Sequence, residues 1–316
     1  MKIRSIEREQ LCGIWAALPL PWRKDGSLDA ALFSRDVARC CVSGVHGVYS
    51  GGTTGEFYAQ DFECFSEVNR IMTETAHAHN VPVQAGCTAL STSEACKRVR
   101  YACDIGADII QIALPFWLEL DDDEVVAFFA DIATVAGDTP IVHYDTVRSK
   151  RRISPKLYHR LCRVVPTLWG TKFGGADTYS VRQITLANPD LKVFVGEHIL
   201  ASSVPMGATG CYSALALLSP SWMIKYYEAC HSRCWDRAFE IQNEVNRMFA
   251  QLGNLPTPGL QDTALDRIFC QVDQFLECTL DSKGPYRNST QKDLEHVRSW
   301  VRENLPHILH SETATV

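Results

Sequence analysis

The sequence predicts a parallel (β/α)8 barrel, a TIM barrel, with a C-terminal helical extension, and three observations lead there. Short apolar runs of strand length alternate with helix-length amphipathic segments eight times between residues 12 and 213. After Ser219-Pro220 the alternation stops and only helix-like segments follow. The chain has 316 residues, 46% hydrophobic and 22% charged, a size that one such barrel reaches as a single unit. An open doubly wound sheet is the competing arrangement. Its nucleotide-binding form needs GxGxxG or GxxxxGKS/T after the first strand, and neither occurs there.

Residues 12–18 form the first strand, closed by Pro19 and Pro21. Leu32, Val37 and Cys40 carry helical spacing over 28–41, and Gly44 ends that helix. The second strand, 45–50, runs into Gly51-Gly52-Thr53-Thr54-Gly55-Glu56. Asp61 caps the next helix, with Phe62, Phe65, Val68 and Met72 on one face. The third strand covers 81–86, and Ser91 with Glu94 has the spacing of a capping box. The fourth strand, 108–114, stops at Pro115. Asp121-Asp122-Asp123 reads as an acidic cap on a helix over 124–136 rather than a metal cluster. The fifth strand is 140–144, and Ser154-Pro155 opens a helix reaching residue 162. The sixth strand is 168–173, followed by a helix over 178–187. The seventh is 192–196, a short helical piece surrounds Leu200, and the eighth is 210–213.

Beyond the barrel, helices are predicted over 222–231, 235–252, 263–280 and 290–304. The domain reading is therefore a barrel over 1–218, a helical region over 219–310 packed on it, and a polar tail over 311–316 that is expected to be disordered.

Composition narrows the function. A net charge of -6 offers no footprint for nucleic acid or an anionic membrane. No apolar run approaches the roughly 20 residues that span a bilayer. The first ten residues carry charges and no following apolar signal region, so a cytoplasmic protein is expected. Thirteen cysteines, an odd number spread along a large chain, read as reduced thiols. Cys40-Cys41 reads as core packing. Cys230-His231-Ser232-Arg233-Cys234 lacks the second ligand pair a zinc site needs.

In such barrels the reactive side chains come from the carboxyl ends of strands and the loops after them. Lys172 is the unusual one, a lysine inside the apolar run Leu168-Trp169-Gly170-Thr171-Lys172-Phe173. Burial without a partner disfavours its ammonium, so a lowered pKa and a nucleophilic neutral amine are expected. The bland alternative is a strand end pointing to water. Thr53, Thr54 and Glu56 follow the second strand, Tyr144 ends the fifth, and Tyr212 lies on the eighth. Gly51–Gly55 can cradle an anion through free N–H groups and hydroxyls, a carboxylate rather than a phosphate because no lysine or helix follows closely. Tyr144 is one strand from Lys172 and within reach of it, as a proton shuttle would be.

The order GTTGE, then a tyrosine ending strand five, then Gly-x-Lys ending strand six resembles the dihydrodipicolinate synthase and N-acetylneuraminate lyase family. The resemblance runs through the eight strands to Gly284-Pro285-Tyr286-Arg287. It implies an imine between Lys172 and a 2-oxo acid, usually pyruvate, proton movement by Tyr144, and a substrate carboxylate held by Gly52, Thr53 and Thr54. It implies no cofactor and no metal, and a homotetramer built as a dimer of dimers. Departures from the family pattern are informative. Tyr144 continues as Asp145-Thr146-Val147-Arg148, Lys172 is followed by Phe173, and Pro115-Phe116-Trp117 stands where dihydrodipicolinate synthases carry a relay tyrosine. Gly55-Glu56-Phe57-Tyr58-Ala59 is closer to the branch that dehydrates or cleaves 2-keto-3-deoxy sugar acids. Trp117, Arg148 and Tyr212 are the residues expected to select the substrate, although Arg148 could instead pair with a surface acid.

The resulting expectation is a class I lyase, either a dehydratase or a pyruvate-releasing aldolase. Dihydrodipicolinate synthase is one alternative, and a catalytically inactive member with a binding role is another. A metal-dependent barrel enzyme would use His46, His143 and His198, but His46 and His143 precede the rim and read as structural.

Overall fold

Each strand of the chain is short, largely buried and separated from the next by a helix, and these segments close on themselves. The computed structural model describes residues 6–309. The order is β1 (Gly13–Ala17), α1 (Ala30–Val42), β2 (Gly47–Ser50), α2 (Phe62–Ala78), β3 (Val83–Gly86), α3 (Thr92–Asp104), β4 (Ile109–Ile112) and α4 (Asp122–Ala136). It continues with β5 (Ile141–Asp145), α5 (Pro155–Val164), β6 (Leu168–Phe173), α6 (Thr178–Ala187), β7 (Lys192–Val195), α7 (Leu200–Ser203), β8 (Ala208–Ser213) and α8 (Pro220–His231). All eight strands are parallel, and β8 returns to pair with β1. Then come α9 (Trp235–Leu252), α10 (Asp262–Val272) and α11 (Gln291–Asn304).

Strand alternation divides the apolar side chains into two sets. Trp15 and Ala17 of β1, Tyr49, Ile109, Val142, Phe194 and Tyr212 fill the barrel axis. Ile14, Ala16, Val48, Ile110, Val193 and Cys211 face the helices instead. Gly47 makes room for the largest interior side chain, since a Cβ there would lie 2.5 Å from the Trp15 ring. The outer set continues without a break into Ile241 and Val245 of α9, Ile268 and Phe269 of α10, and Val297 and Val301 of α11. Among the described residues, no helix is long and apolar enough to cross a membrane. The predicted tail over 311–316 lies outside the described residues.

Two local expectations are corrected. The helix predicted over 263–280 ends at Val272. The backbone leaves the helix at left-handed Gln274, φ 53°, and buried Asp36 of α1 then holds the following segment out of helix by accepting from the Glu277 and Cys278 backbone N–H groups at 2.8 and 2.9 Å. Ser91 does cap α3, but Glu94 does not close the box; its carboxylate lies 3.6 Å from Arg98. The reciprocal pair forms at Asp121 and Glu124, each backbone N–H donating to the other's carboxylate at 2.8 Å.

Candidate active site

Lys172 stands near the carboxyl end of β6, and the β5–β6 register sets Tyr144 directly beside it. Its ammonium is enclosed by three phenols. Nζ donates to Tyr49 Oη at 3.0 Å and lies 4.3 Å from the centre of the Tyr144 ring, 5.1 Å from Tyr49 and 5.4 Å from Tyr212. The Tyr144 hydroxyl pairs with Thr53 Oγ1 at 3.3 Å rather than with the lysine. The Tyr212 hydroxyl donates to Gln84 Oε1 at 2.6 Å, and Gln84 in turn donates to Gln111 at 2.6 Å. These buried amides lock the ring beneath the lysine.

The expected depression of the lysine pKa is corrected. Burial does work against the ammonium, but the phenolic oxygens of Tyr144, Tyr49 and Tyr212 outweigh it and hold the pKa above the ordinary lysine range. Burial also raises the Tyr49 and Tyr212 hydroxyls, so both keep their protons near neutrality. The resting site therefore holds a protonated amine cradled by phenols, and attack on a carbonyl requires that proton to be passed on.

A cavity of about 350 Å³ opens above Lys172, bordered by Thr53, Thr54, Tyr144, Arg148, Tyr212 and Asp266, among others. Asp266 comes from α10, outside the barrel strands. Thr54 Oγ1 donates to its Oδ2 at 2.6 Å. Its pKa is pushed up to about 7, first by burial; the Thr54 hydrogen bond opposes this, the Asp262 and Glu197 carboxylates add to it, and Lys172 opposes it. Glu197 is also on this wall and accepts from the Ala214 and Leu215 N–H groups at 2.6 and 3.1 Å.

The GTTGE loop is anchored from behind. Gly51 has φ +79°, and a Cβ there would lie 2.6 Å from the Gly86 carbonyl oxygen, so this approach needs glycine. Glu56 also adopts a left-handed backbone, with φ 49°. Its fully buried carboxylate accepts from Trp22 Nε1 at 2.7 Å, from the Lys283 N–H at 2.7 Å, and from the Arg267 guanidinium. Neighbouring residues Asp266 and Arg267 thus dock α10 onto Thr54 and Glu56.

The sequence-derived candidates are placed as follows. Lys172, Tyr144, Thr53, Thr54, Tyr212 and Arg148 share one cavity. The Thr54 hydroxyl proton is committed to Asp266, which leaves the backbone N–H as its free donor toward a ligand. Gly52 borders neither this cavity nor the second one described below; it packs against Tyr49 and Gln111. Arg148 donates to Asp262 at 2.7 Å, a half-exposed pair at the mouth. Trp117 is 76% exposed and borders neither cavity in this chain; its carbonyl accepts from Lys150. Asp145 faces away from the cavity toward Arg152, 3.6 Å off, and burial lifts its pKa to about 6.

The three histidines do not converge. Buried His143 pairs with Tyr158 Oη at 2.7 Å and its pKa is pushed down to about 3 by burial. His46 accepts from the Ile14 N–H at 3.1 Å, and His198 alone borders the cavity. Among the described residues no group of three metal-ligating side chains gathers.

Sequence reasoning missed Tyr49 and Asp266. Tyr49 carried a signal, for it sits on β2 two residues before the glycine-rich loop. Asp266 falls on the helical face of Thr263 and Cys270, an acid where an apolar residue would be expected.

A second cavity of about 310 Å³ adjoins the first and shares Thr53, Tyr144, Thr146 and Arg148 with it.

Comparison with known proteins gives a consistent result. The profile described as "Dihydrodipicolinate synthetase family" matches residues 10–297. A 4-hydroxy-tetrahydrodipicolinate synthase of Thermus thermophilus is 31% identical over 211 residues, 66% of this chain and 69% of its own. An uncharacterized DapA-like lyase of Halobacterium salinarum is 32% identical over 237 residues, 73% of this chain and 76% of its own. Among solved structures, the sialic acid aldolase of Ruminococcus gnavus superposes with a TM-score of 0.86 at 19% identity, covering 95% of this chain and all of its own.

Proposed function

The chain belongs to the dihydrodipicolinate synthetase family, a family of class I lyases, and from that premise we propose that it cleaves or dehydrates a 2-oxo acid through an imine of Lys172. The supporting observation is the lysine itself, its Nζ set among three phenols on the wall of a cavity that a small substrate can enter.

In this reading the amine attacks the C2 carbonyl and the carbonyl oxygen leaves as water. The imine then acts as an electron sink for C3. If the C3–C4 bond breaks, an aldehyde leaves and pyruvate is released on hydrolysis. If C3 loses a proton and C4 its hydroxyl, the product is a dehydrated 2-oxo acid. Tyr144 moves the proton in either case, with Thr53 at 3.3 Å as its relay. The substrate carboxylate is held by the Thr53 and Thr54 backbone N–H groups and the Thr53 hydroxyl.

Dihydrodipicolinate synthesis is the second reading, favoured by the names of the 31%-identical relatives. Against it stand Phe116 and Trp117 in place of a relay hydroxyl, and an Arg148 already engaged by Asp262. An inactive, binding role would leave the Lys172–Tyr144–Thr53 constellation without a purpose.

Borohydride reduction in the presence of pyruvate, followed by peptide mass measurement, is the test. A reduced adduct on Lys172 is expected, and Lys172→Ala should abolish turnover in a folded protein. Folded protein that traps neither pyruvate nor any of several 2-oxo acids would sink the proposal.

A further inference from the structure

The second chamber lies across Tyr144 and Thr53 from Lys172, and five of its thirteen lining residues are aromatic rings. Phe57 and Phe116 meet edge to face with centres 5.9 Å apart, and Tyr58 meets Phe57 at 5.9 Å and Tyr286 at 5.1 Å. These rings come from three separate stretches of chain: the segment after GTTGE, the loop after β4, and the segment before α11.

Most polar side chains of the chamber already make one hydrogen bond within the protein. Thr263 Oγ1 donates to the Thr53 carbonyl at 3.2 Å and lies 3.3 Å from Tyr58 Oη. Ser149 Oγ donates to the Leu114 carbonyl at 3.4 Å, Thr88 Oγ1 accepts from the Ala113 N–H at 3.0 Å, and Thr146 Oγ1 from the Arg148 N–H at 3.3 Å. Arg148 itself is paired with Asp262. The Thr88 and Thr146 hydroxyl protons, the remaining Arg148 N–H groups, Gln261 and the Tyr286 hydroxyl are left over, the last two on exposed residues. A polyhydroxylated chain entering here would surrender its water hydrogen bonds. In exchange it would find only hydroxyls already holding one partner each, a guanidinium shared with Asp262, and the exposed Gln261 and Tyr286. A ring would find edge-to-face partners on several sides. Size agrees, since an apolar cavity of about 150 Å³ already accepts a benzene ring.

We infer that this chamber receives the C4 substituent of the substrate and that the substituent is an aromatic ring, making the substrate a 4-aryl-4-hydroxy-2-oxo acid and the released aldehyde an aryl aldehyde. This rests on the Lys172 imine. Tyr144 borders both chambers, so its phenol faces the junction at which C3 and C4 part. On cleavage the C3–C4 electron pair moves into the enamine on Lys172, and the aryl aldehyde leaves. The proton freed from the C4 hydroxyl passes to Tyr144 and returns to C3. Water then hydrolyses the imine to pyruvate and free lysine, and no other reactant is needed.

The experiment has two arms on the full-length protein. Borohydride trapping with pyruvate reports the imine alone. Cleavage of 4-hydroxy-2-oxo-4-phenylbutanoate and of 2-keto-3-deoxygluconate, followed by pyruvate release, reports the chamber. The aryl substrate is expected to have the higher kcat/KM by on the order of tenfold or more. Phe116→Ser should raise KM for the aryl substrate with a smaller effect on kcat, while Phe116→Tyr retains it. Trapping on Lys172 together with equal or better use of the sugar acid, or with no cleavage of the aryl substrate, would overturn the inference and leave the imine standing. An unchanged KM in a folded Phe116→Ser protein would also overturn it. Absence of trapping would remove both.

Discussion

At the scale of single residues, the chemistry turns on where two protons sit. The Lys172 pKa lies above the ordinary range, so the amine gains nucleophilic form as pH rises. Cyanoborohydride capture with pyruvate, measured against a simple amine, should accelerate by up to about tenfold per pH unit between about pH 7 and 9. Tyr49→Phe removes the acceptor at 3.0 Å, and should shift this profile toward lower pH; a profile that stays in place would show that Tyr49 does not hold the proton. Asp266 carries the opposite problem, a carboxylate buried beside Asp262 and Glu197. Its pKa rises from 3.8 to about 7 on folding, so its stabilising contribution is complete below about pH 4 and is lost as pH climbs toward 7. Asp266→Asn should therefore gain stability over the parent by at most about 1.4 kcal/mol per pH unit across that window, as read from unfolding curves at pH 4, 5.5 and 7. A difference that does not change with pH would exclude this titration.

At the scale of elements, the decisive contact is α10 against the loop after β2. Arg267→Met leaves the Glu56 carboxylate buried with only neutral donors, and a cost of about 3–5 kcal/mol is expected in denaturant unfolding. Glu56→Gln combined with Arg267→Met should cost less than Arg267→Met alone, because no uncompensated charge remains. Much at this scale could be read from sequence. The periodicity of Phe65, Val68 and Met72 and the cap at Asp61 mark α2, and the apolar run broken by Gly170 and Lys172 marks β6. The segment after α10 could not be read as non-helical, because it is held at Glu277 by a carboxylate 241 residues away at Asp36. The site divides in the same way. Lys172, Tyr144 and Thr53 follow from strand ends, whereas the partner chosen by Lys172 depends on an interior packing that places Tyr49 nearer than the Tyr144 hydroxyl. The aromatic chamber needs three distant stretches to be brought together, and spacing along the chain carries no trace of that.

At the scale of the whole molecule, the barrel is one wall short of a closed site, and the C-terminal helices supply it. Trp117 and Leu118 stand 76% and 72% exposed on the same loop, an apolar pair that water disfavours. We propose that they lie in the interface of a homotetramer. Light scattering should give four times the 35.3 kDa chain mass, and Trp117→Glu should lower it; a monomeric parent protein at micromolar concentration would count against the assembly.

Asp266 and Arg267 are successive residues, separated by about 100° around α10. One faces the cavity and the other grips the loop behind it. The angular phase of a single helix consequently decides whether it turns an acid or a guanidinium toward the reaction chamber. One residue inserted between Leu265 and Asp266 would turn the acid out and break the grip in the same movement. The helix thus works as a keyed part: it fits the barrel in one rotation, and that rotation delivers both the anchor and the acid.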